Sequence, residues 1–318
     1  MWQDIRYDYD ELGRVIRKQS GQRQTLKLKW NSESQLIASS SERPRMSAHT
    51  RYHYDALGRR IGKSDRFGTT WFVWSGMRML QEERGARIIT TVYEDQDSYA
   101  PLARIEHGKD QKEISQKQIF YFHTDINGAP EELTSHNGIV AWKARYKTWG
   151  NTAIEQWDWE YENYEGTVER RSQNLRLQGQ YLDSETGLHY NTFRYYDPDI
   201  GRFATQDPIG LDGGLNLYQY APNPSQWIDP WGLAPRGPWE LTPSGTSKTR
   251  VIGGRTYYQH KTTGLWWSRD TAGHGGSEFK VFKEGKGGTL EWYRDADKFG
   301  DFIDPNKKHK GPKGKKVC

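Results

Sequence analysis

The sequence predicts a mostly β protein, because of its composition, its internal repeats and its period-two alternation. Hydrophobic residues make up 34% of the 318 residues, but 14% are aromatic, with 14 Trp and 19 Tyr. Disordered chains are poor in aromatic residues, whereas Trp and Tyr bury large areas and keep a polar group that can bond at the surface. The composition therefore favours many short polar strands packed by aromatic rings, in a chain long enough for two domains.

The first part of the chain contains a repeat that predicts a strand, a turn and a second strand. YDYDELGRVI, from Tyr7 to Ile16, returns as YHYDALGRRI, from Tyr52 to Ile61. In each copy an Asp–x–Leu–Gly turn reverses the chain, with glycine free to take positive φ. Weaker copies begin at Trp30 and Trp74, and the alternating segments TLKLKW and LRLQGQY predict further strands.

These units resemble the YD repeats of the Rhs family, and three further stretches of the chain resemble the same family. They are YFHTDINGAPEELTSHNGIVAWKARYKTWG, GQYLDSETGLHYNTFRYYDPDIGRFATQDPIGLDGGLNLYQYAPN and NPSQWIDPWGL. The resemblance covers nearly all of residues 1–233 and implies a spiralling β-sheet that forms a hollow shell around a C-terminal toxin. A closed shell needs more repeats than this chain contains, so we expect a partial shell: the last few turns, in a natural short cassette or in a piece of a longer protein.

The stretch NPSQWIDPWGL predicts a domain boundary after Leu233. It contains the family pattern P-x-x-x-x-D-P-x-G-L, which implies that the chain cuts itself between Leu233 and Ala234 with a pair of aspartates. By this resemblance Asp229 is one of them and Asp207, in QDPIGL, is the other. Such chemistry needs two carboxylates, because one holds a proton while the other activates water. From the residues alone, an Asp–Pro pair is more typical of a turn.

The charge of the chain is divided unevenly at this boundary. Residues 234–318 hold 17 Lys+Arg and 9 Asp+Glu, a balance of +8, whereas residues 1–233 hold 29 and 32, a balance of −3. A basic segment joined to a mildly acidic one indicates nucleic acid as a partner of the basic segment, although a solvated basic surface gives the same count.

Cysteine content and hydropathy exclude several classes of protein. The single cysteine, Cys318, excludes an intrachain disulfide framework and a multi-cysteine zinc site. No apolar run approaches the length of a membrane span. The first residues, MWQDIRYDYD, have no basic region followed by an apolar one, so we expect no signal peptide. If the protein leaves its cell, we expect export without a cleaved leader, and the family resemblance implies secretion by a type VI or contact-dependent system.

The residues after the boundary predict a linker over 234–248 and a small α+β domain over 249–318. TRVIGGRTYY predicts a hairpin around Gly253–Gly254, and GLWWSRD, SEFKVFK and TLEWYR predict further strands. DADKFGDFI predicts one turn of helix that ends at Gly300. We expect a sheet of four or five strands.

Basic residues, aromatic residues and histidines supply the candidate chemistry of this domain, which has no phosphate-binding loop or nucleophile-elbow motif. His274 lies in the glycine-rich DTAGHGGS, and His309 lies in KKHK, where neighbouring cations favour neutral imidazole. Metal-free RNA cleavage needs a base, an acid and a cation at the phosphate, for which we name His274, His309, Lys280 and Arg269 as candidates. Candidate RNA-binding residues are Trp266, which can stack on a base, with Lys283, Lys308 and Lys310. A histidine among glycines is nevertheless more often a turn residue, and a lysine-rich terminus is more often a solvated tail.

The segment from Arg255 to Lys315 also resembles a C-terminal domain of bacterial polymorphic toxins that is assigned to the barnase, EndoU, colicin and RelE group of ribonucleases. This resemblance implies a ribonuclease without metal or cofactor, with tRNA as one candidate substrate. Residue roles do not transfer within that group, because its members share a fold more than a catalytic set.

The leading hypothesis is an antibacterial Rhs-type toxin that cleaves RNA in the cytoplasm of a target cell. Expected partners are RNA, an acidic immunity protein and components of the delivery machinery. One alternative is a metal-dependent DNA nuclease with His274, Asp270 or His309 as ligands. Another is a non-enzymatic YD-repeat scaffold that binds partners and carries an inert tail.

Overall fold

A computed structural model describes most of the chain, which divides into two compact units, residues 1–235 and 236–318. The described residues are 4–21, 24–44, 46–94, 98–109, 117–158, 172–235, 246–261, 263–271, 277–297, 300, 302–303 and 316–317. Four of the candidate residues, His274, Lys308, His309 and Lys310, lie outside them. The predicted boundary after Leu233 stays a prediction.

The first unit contains a 14-stranded antiparallel sheet in which each strand pairs with the next one along the chain. Its strands are β1 (Ile5–Tyr9), β2 (Val15–Ser20), β3 (Gln24–Trp30), β4 (Leu36–Arg43), β5 (Met46–Tyr54), β6 (Arg60–Asp65), β7 (Gly68–Ser75), β8 (Arg78–Arg84), β9 (Arg87–Tyr93), β10 (Pro101–Gly108), β11 (Gln118–Thr124), β12 (Pro130–Ser135), β13 (Val140–Tyr146) and β14 (Thr152–Trp157). Strands such as β3, β7 and β11 alternate between buried and less buried side chains, as a sheet with one covered face requires.

The repeated Asp–x–Leu–Gly turns are built alike, as the sequence predicted. Asp10 Oδ1 accepts hydrogen bonds from the backbone N–H of Leu12 (3.1 Å) and Arg14 (2.9 Å), and Asp55 Oδ1 does the same for Leu57 and Arg59. The turn glycines have φ of 71° and 79°, values that side-chain-bearing residues rarely adopt. The weaker copy at Trp30 uses Asn31 in the same role, since Asn31 Oδ1 accepts from the N–H groups of Glu33 and Gln35.

A second, four-stranded antiparallel sheet packs against the first. It consists of β15 (Tyr181–Asp183), β16 (Leu188–Asn191), β17 (Arg194–Asp197) and β18 (Arg202–Phe203). One apolar core joins the repeat strands to this sheet, with members such as Val15, Leu36, Leu188 and Tyr195. The segment LRLQGQY is not one strand, contrary to its alternation: only its last residue, Tyr181, belongs to β15, and the backbone before it turns back on itself through a hydrogen bond from Gln180 N–H to Leu177 O (2.8 Å). A short 3₁₀ turn (Gly210–Gly213) follows β18.

The second unit contains a six-stranded antiparallel sheet, one strand more than the upper expectation. Its strands are β19 (Thr246–Ile252), β20 (Arg255–His260), β21 (Trp266–Arg269), β22 (Phe279–Glu284), β23 (Leu290–Ala296) and β24 (Lys316–Val317), with a 3₁₀ turn at Lys286–Gly288. β19 and β20 form the predicted hairpin around Gly253–Gly254, and β19 takes up the last residues of the predicted linker.

The helical part of the α+β prediction is not found in the described residues of the second unit. Asp295 and Ala296, where the helical turn was expected to begin, belong to β23, because the Phe279–Ala296 pairing continues the ladder with β22. The protein is therefore mostly β, as predicted. No helix in the described ranges has the length and apolar character that a membrane span needs.

Candidate functional site

Two aspartates and one arginine meet around the end of the first unit. Arg194, the first residue of β17, places its Nη2 atom 2.9 Å from Asp207 Oδ2 and 3.5 Å from Asp229 Oδ2. All three side chains are at least 96% buried, with exposures of 1%, 4% and 1%. The predicted pairing of Asp207 with Asp229 therefore has a geometric basis, and a cation lies between the two carboxylates.

The backbone of Leu233 lies within this cluster. Arg194 Nη2 donates to Leu233 O (3.2 Å), and Leu233 N–H donates to Asp229 Oδ1 (2.9 Å). Asn191, at the end of β16, fixes Asp229 from the other side through a bond from its Nδ2 to Asp229 O (2.9 Å). The β16–β17 hairpin thus supplies the groups that hold both the carboxylate and the peptide of Leu233.

Most of the fixed letters of the P-x-x-x-x-D-P-x-G-L pattern are buried in this chain: Pro224, Asp229, Pro230 and Gly232. The variable positions are mixed, since Ser225, Gln226 and Trp231 are exposed, Trp227 is half-buried and Ile228 is buried. Leu233 is half-buried and Ala234 is exposed. The chain is therefore held up to Leu233 and reaches solvent at Ala234.

Burial also sets the protonation of the cluster. Desolvation raises the pKa of Asp229 to about 6, against the opposing effect of the Leu233 N–H bond and Arg194. Burial raises the pKa of Asp207 as well, and the adjacent guanidinium limits that rise. The pKa of Arg194 is lowered to about 10 by desolvation, so this side chain remains a cation at neutral pH. Two carboxyls with different affinities for a proton can act as acid and base.

Arg194 is a residue of the cluster that the sequence did not indicate. It lies in RYYD, a strand whose four residues are all buried, and a buried arginine requires partners that only the fold reveals. The one signal in the sequence is a charged residue between aromatic residues in a stretch otherwise typical of core.

The candidate residues of the second unit are not all brought together. Ser268 pairs with Lys280 and Arg269 pairs with Phe279, so Arg269 and Lys280 point to opposite faces of the sheet. Lys280 Nζ forms ion pairs with Asp270 Oδ2 (3.1 Å) and Asp295 Oδ1 (3.4 Å). Its charge is therefore already matched within the fold.

The stacking role expected for Trp266 conflicts with its burial. Trp266 is 0% exposed and packs with Tyr257, Phe282 and Leu290, and Trp267 is also buried, so both tryptophans belong to the core. Lys283 is exposed, with Nζ 3.7 Å from the centre of the Tyr293 ring. Lys283 and Arg269 are thus the described candidates that solvent reaches.

The described residues show no grouping of three His, Cys, Asp or Glu side chains that would hold a metal ion. Of the ligands named for a metal-dependent nuclease, Asp270 is described and is paired with Lys280, while His274 and His309 lie outside the described ranges.

The chain is similar to parts of several larger proteins. It is 41% identical over 303 residues to "Double-stranded DNA deaminase toxin A" of Burkholderia cenocepacia, covering 90% of this chain and 20% of that protein. It is 33% identical over 265 residues to "Toxin protein Tse5" of Pseudomonas aeruginosa (72% and 19%). It is 31% identical over 240 residues to "Probable deoxyribonuclease RhsA" of Dickeya dadantii (73% and 16%). The chain thus spans a fifth or less of the length of these relatives.

A solved structure and a family model also match the chain. The solved structure "Crystal Structure of TcdB2-TccC3-TEV" matches 72% of this chain and 13% of that one, with a TM-score of 0.51 and 21% identity, a likeness of fold. Residues 119–156, which run from β11 to β14, match the family described as "RHS protein". Together with the repeated turns and the relatives above, this match shows that the chain belongs to the Rhs family.

Proposed function

We propose that Asp207 and Asp229 hydrolyse the Leu233–Ala234 peptide bond of their own chain. Ionised Asp207 takes a proton from water, and the resulting hydroxide adds to the carbonyl carbon of Leu233. Arg194, which already donates to Leu233 O, stabilises the negative charge that develops on that oxygen. Asp229 gives its proton to the nitrogen of Ala234, the C–N bond breaks, and residues 234–318 are released.

One observation carries this proposal: Arg194 contacts Asp207, Asp229 and the carbonyl oxygen of Leu233, Asp229 accepts from the Leu233 N–H, and the next residue, Ala234, is exposed. Asp229 Oδ2 receives no hydrogen bond in the described structure and is the atom on which we place the proton. The raised pKa of Asp229 supports the role of acid, and the short contact of Asp207 with Arg194 supports the role of base.

The test replaces Asp229 with asparagine, which can still accept the Leu233 N–H bond but cannot donate an acidic proton. We expect Asp229→Asn to remain one chain on a denaturing gel, whereas the wild type gives fragments that end at Leu233 and begin at Ala234 by mass spectrometry. Asp55→Asn is the matched control, because an asparagine caps that turn equally well. Cleavage of Asp229→Asn at the wild-type rate would refute the proposed pair.

We further propose that the released segment is a toxin that cleaves RNA, tRNA among the candidates, without a metal ion. Its balance of +8 supports nucleic acid as the substrate, and two of the relatives described above bear names of enzymes that act on DNA. His274 and His309 remain the candidates for base and acid. Arg269 and Lys283 are better placed than Lys280 to contact a phosphate, because solvent reaches them.

Total RNA incubated with the cleaved protein and excess EDTA tests the activity. We expect discrete small-RNA fragments on a denaturing gel, and none with His274→Ala. Because those relatives' names favour DNA, the second candidate is a DNA nuclease: intact RNA together with magnesium-dependent DNA cleavage would replace the first proposal with this one. RNA cleavage that survives in His274→Ala would remove that histidine from the mechanism.

The same proposal covers how the toxin is delivered and where it acts. We infer delivery into a competing bacterium by a type VI or contact-dependent system and action in its cytoplasm. An acidic immunity protein protects the producing cell, since a negative surface steers toward the basic segment. Harmless expression of the chain without a neighbouring immunity gene would favour the scaffold alternative.

A further inference from the structure

Gly179 contacts the cleavage segment more closely than any other residue type allows. It lies in the turn before β15 with φ of 83°. A Cβ atom placed on it would lie 2.5 Å from Pro230 Cα and 2.6 Å from Pro230 C, and in conflict with the Pro230 carbonyl oxygen as well. All three are backbone atoms, so no side-chain rotation relieves the overlap. The backbone of Pro230 occupies the place of the missing side chain.

We propose that Gly179 is a positioning residue for the self-cleavage proposed above. Its missing side chain lets the Pro230 backbone pack against it, and this contact places Asp229 against Arg194 and the peptide of Leu233. This inference rests on the proposed cleavage. Pro230 directly follows Asp229 in the chain, and the Asp229 carboxylate bonds to Leu233 N–H at 2.9 Å. A shift of the Pro230 backbone therefore displaces one end of the catalytic cluster directly.

The turn that carries Gly179 cannot retreat to make room. Gln178, the preceding residue, donates from Nε2 to Asn127 O (2.8 Å), and Asn127 Nδ2 donates to Pro224 O (2.8 Å). Both bonds are buried. The turn and the cleavage segment are thus fixed to the same loop between β11 and β12, so an added atom at position 179 pushes the two apart at Pro230.

Gly187 offers a matched comparison. It lies in the turn between β15 and β16 with φ of 74°, and a Cβ atom placed there meets nothing within 4 Å. Asparagine tolerates positive φ better than other side-chain-bearing residues. Gly179→Asn and Gly187→Asn therefore carry a similar backbone strain, and the first alone adds the collision with Pro230.

The experiment follows self-cleavage of the full chain after dilution from denaturant, with circular dichroism to confirm folding. We expect Gly187→Asn to cleave as the wild type does, and Gly179→Asn to fold but cleave about 100-fold more slowly, the cost of misplacing a reacting group by about 1 Å. Equal cleavage by the two variants overturns the proposal. A Gly179→Asn chain that fails to fold beside a folded Gly187→Asn chain also overturns it, because the residue then serves folding and not positioning.

A second readout separates this inference from the cleavage itself. NMR titration of the Asp229 carboxyl in a chain kept uncut by Asp207→Asn measures its raised pKa, which adding Gly179→Asn should move toward the ordinary value as the cluster opens. If the wild type never cleaves, the proposed function fails, but this titration still tests whether the contact between Gly179 and Pro230 positions Asp229. An unchanged titration in Gly179→Asn would show that Gly179 does not position Asp229.

Discussion

Arg194 shows what a single buried charge demands of its surroundings. Its guanidinium bonds to Asp207, to the carbonyls of Leu217 and Leu233, and lies 3.6 Å from the centre of the Phe203 ring. A planar group with five donors serves all of these partners at once, which a lysine ammonium cannot do. Arg194 therefore holds the β16–β17 hairpin, both aspartates and the backbone of Leu233 in one arrangement.

The pH dependence of cleavage follows from the two aspartates. Asp229 must be protonated to act as the acid, so the rate should fall as the pH rises through its pKa of about 6. Asp207 must be ionised to act as the base, so the rate should also fall at low pH, below its raised pKa. We expect a bell-shaped profile with its maximum at mildly acidic pH, measured as product formed per minute after refolding. The range from about pH 6 to about pH 8 lies above the pKa of Asp229, so a rate that rises steadily across it would contradict these roles.

At the scale of elements, the four-stranded sheet matches the repeat that it covers. Lys18 and Lys63 occupy equivalent positions of the two strong repeats. Lys18 bonds to Asp197 (2.7 Å) and Asp199 (2.8 Å), and Lys63 bonds to Asp183 (3.2 Å) and Glu185 (2.8 Å). Both acidic pairs belong to Asp-x-acid-x-Gly turns, YLDSETG and YYDPDIG. Each strong repeat thus presents a lysine to one acidic turn, the first repeat to the later turn and the second repeat to the earlier one, which fixes the register between the two sheets.

Breaking one of these pairs should destabilise the first unit. Lys18→Met leaves Asp197 buried without its cation, which typically costs about 3–5 kcal/mol. Lys27→Met removes an exposed pair with Glu42, in which both side chains are more than half exposed, and should change stability by less than about 1 kcal/mol. Urea unfolding of both variants, in the uncut Asp229→Asn chain, measures the difference. Equal midpoints would show that the buried pair does not secure the sheet.

At the scale of the whole molecule, the two segments of the chain differ in net charge. Residues 1–233 are mildly acidic, whereas residues 234–318 carry an excess of 8 positive charges. Exposed cations such as Arg269 and Lys283 lie on a compact six-stranded sheet with cores on both faces. Such a segment attracts polyanions regardless of their sequence.

Binding of RNA by the full chain should therefore depend strongly on salt. Each phosphate contact releases bound counterions, so affinity falls by orders of magnitude between about 50 and 200 mM salt when several contacts form. Filter binding of a labelled RNA at increasing salt measures the slope. Lys283→Ala should reduce the slope, whereas Lys280→Met should leave it nearly unchanged, because Lys280 is already paired with Asp270 and Asp295. A larger loss in Lys280→Met would reverse the roles of the two lysines.

Local patterns alone determined the β class, the repeated turns and the hairpin at Gly253–Gly254. These features depend on alternation and on turn residues such as Asp10 and Gly13, whose hydrogen bonds form within five residues of sequence. Resemblance to the Rhs family pointed to the pair Asp207 and Asp229. It gave no role to Arg194, and stacking by Trp266 was wrong because that ring lies in the core.

Only the tertiary structure decided which distant residues meet. Arg194, Asp207 and Leu233 come together because β16, β17 and the following loops pack around the buried guanidinium of Arg194. The proposed role of Gly179 likewise depends on its contact with Pro230, which is 51 residues further along the chain. The alternation of LRLQGQY predicted a strand, but the hydrogen bond that closes its turn prevailed. Local sequence sets the conformation of neighbours, whereas burial and the pairing of buried charges are settled by the packing of the whole unit.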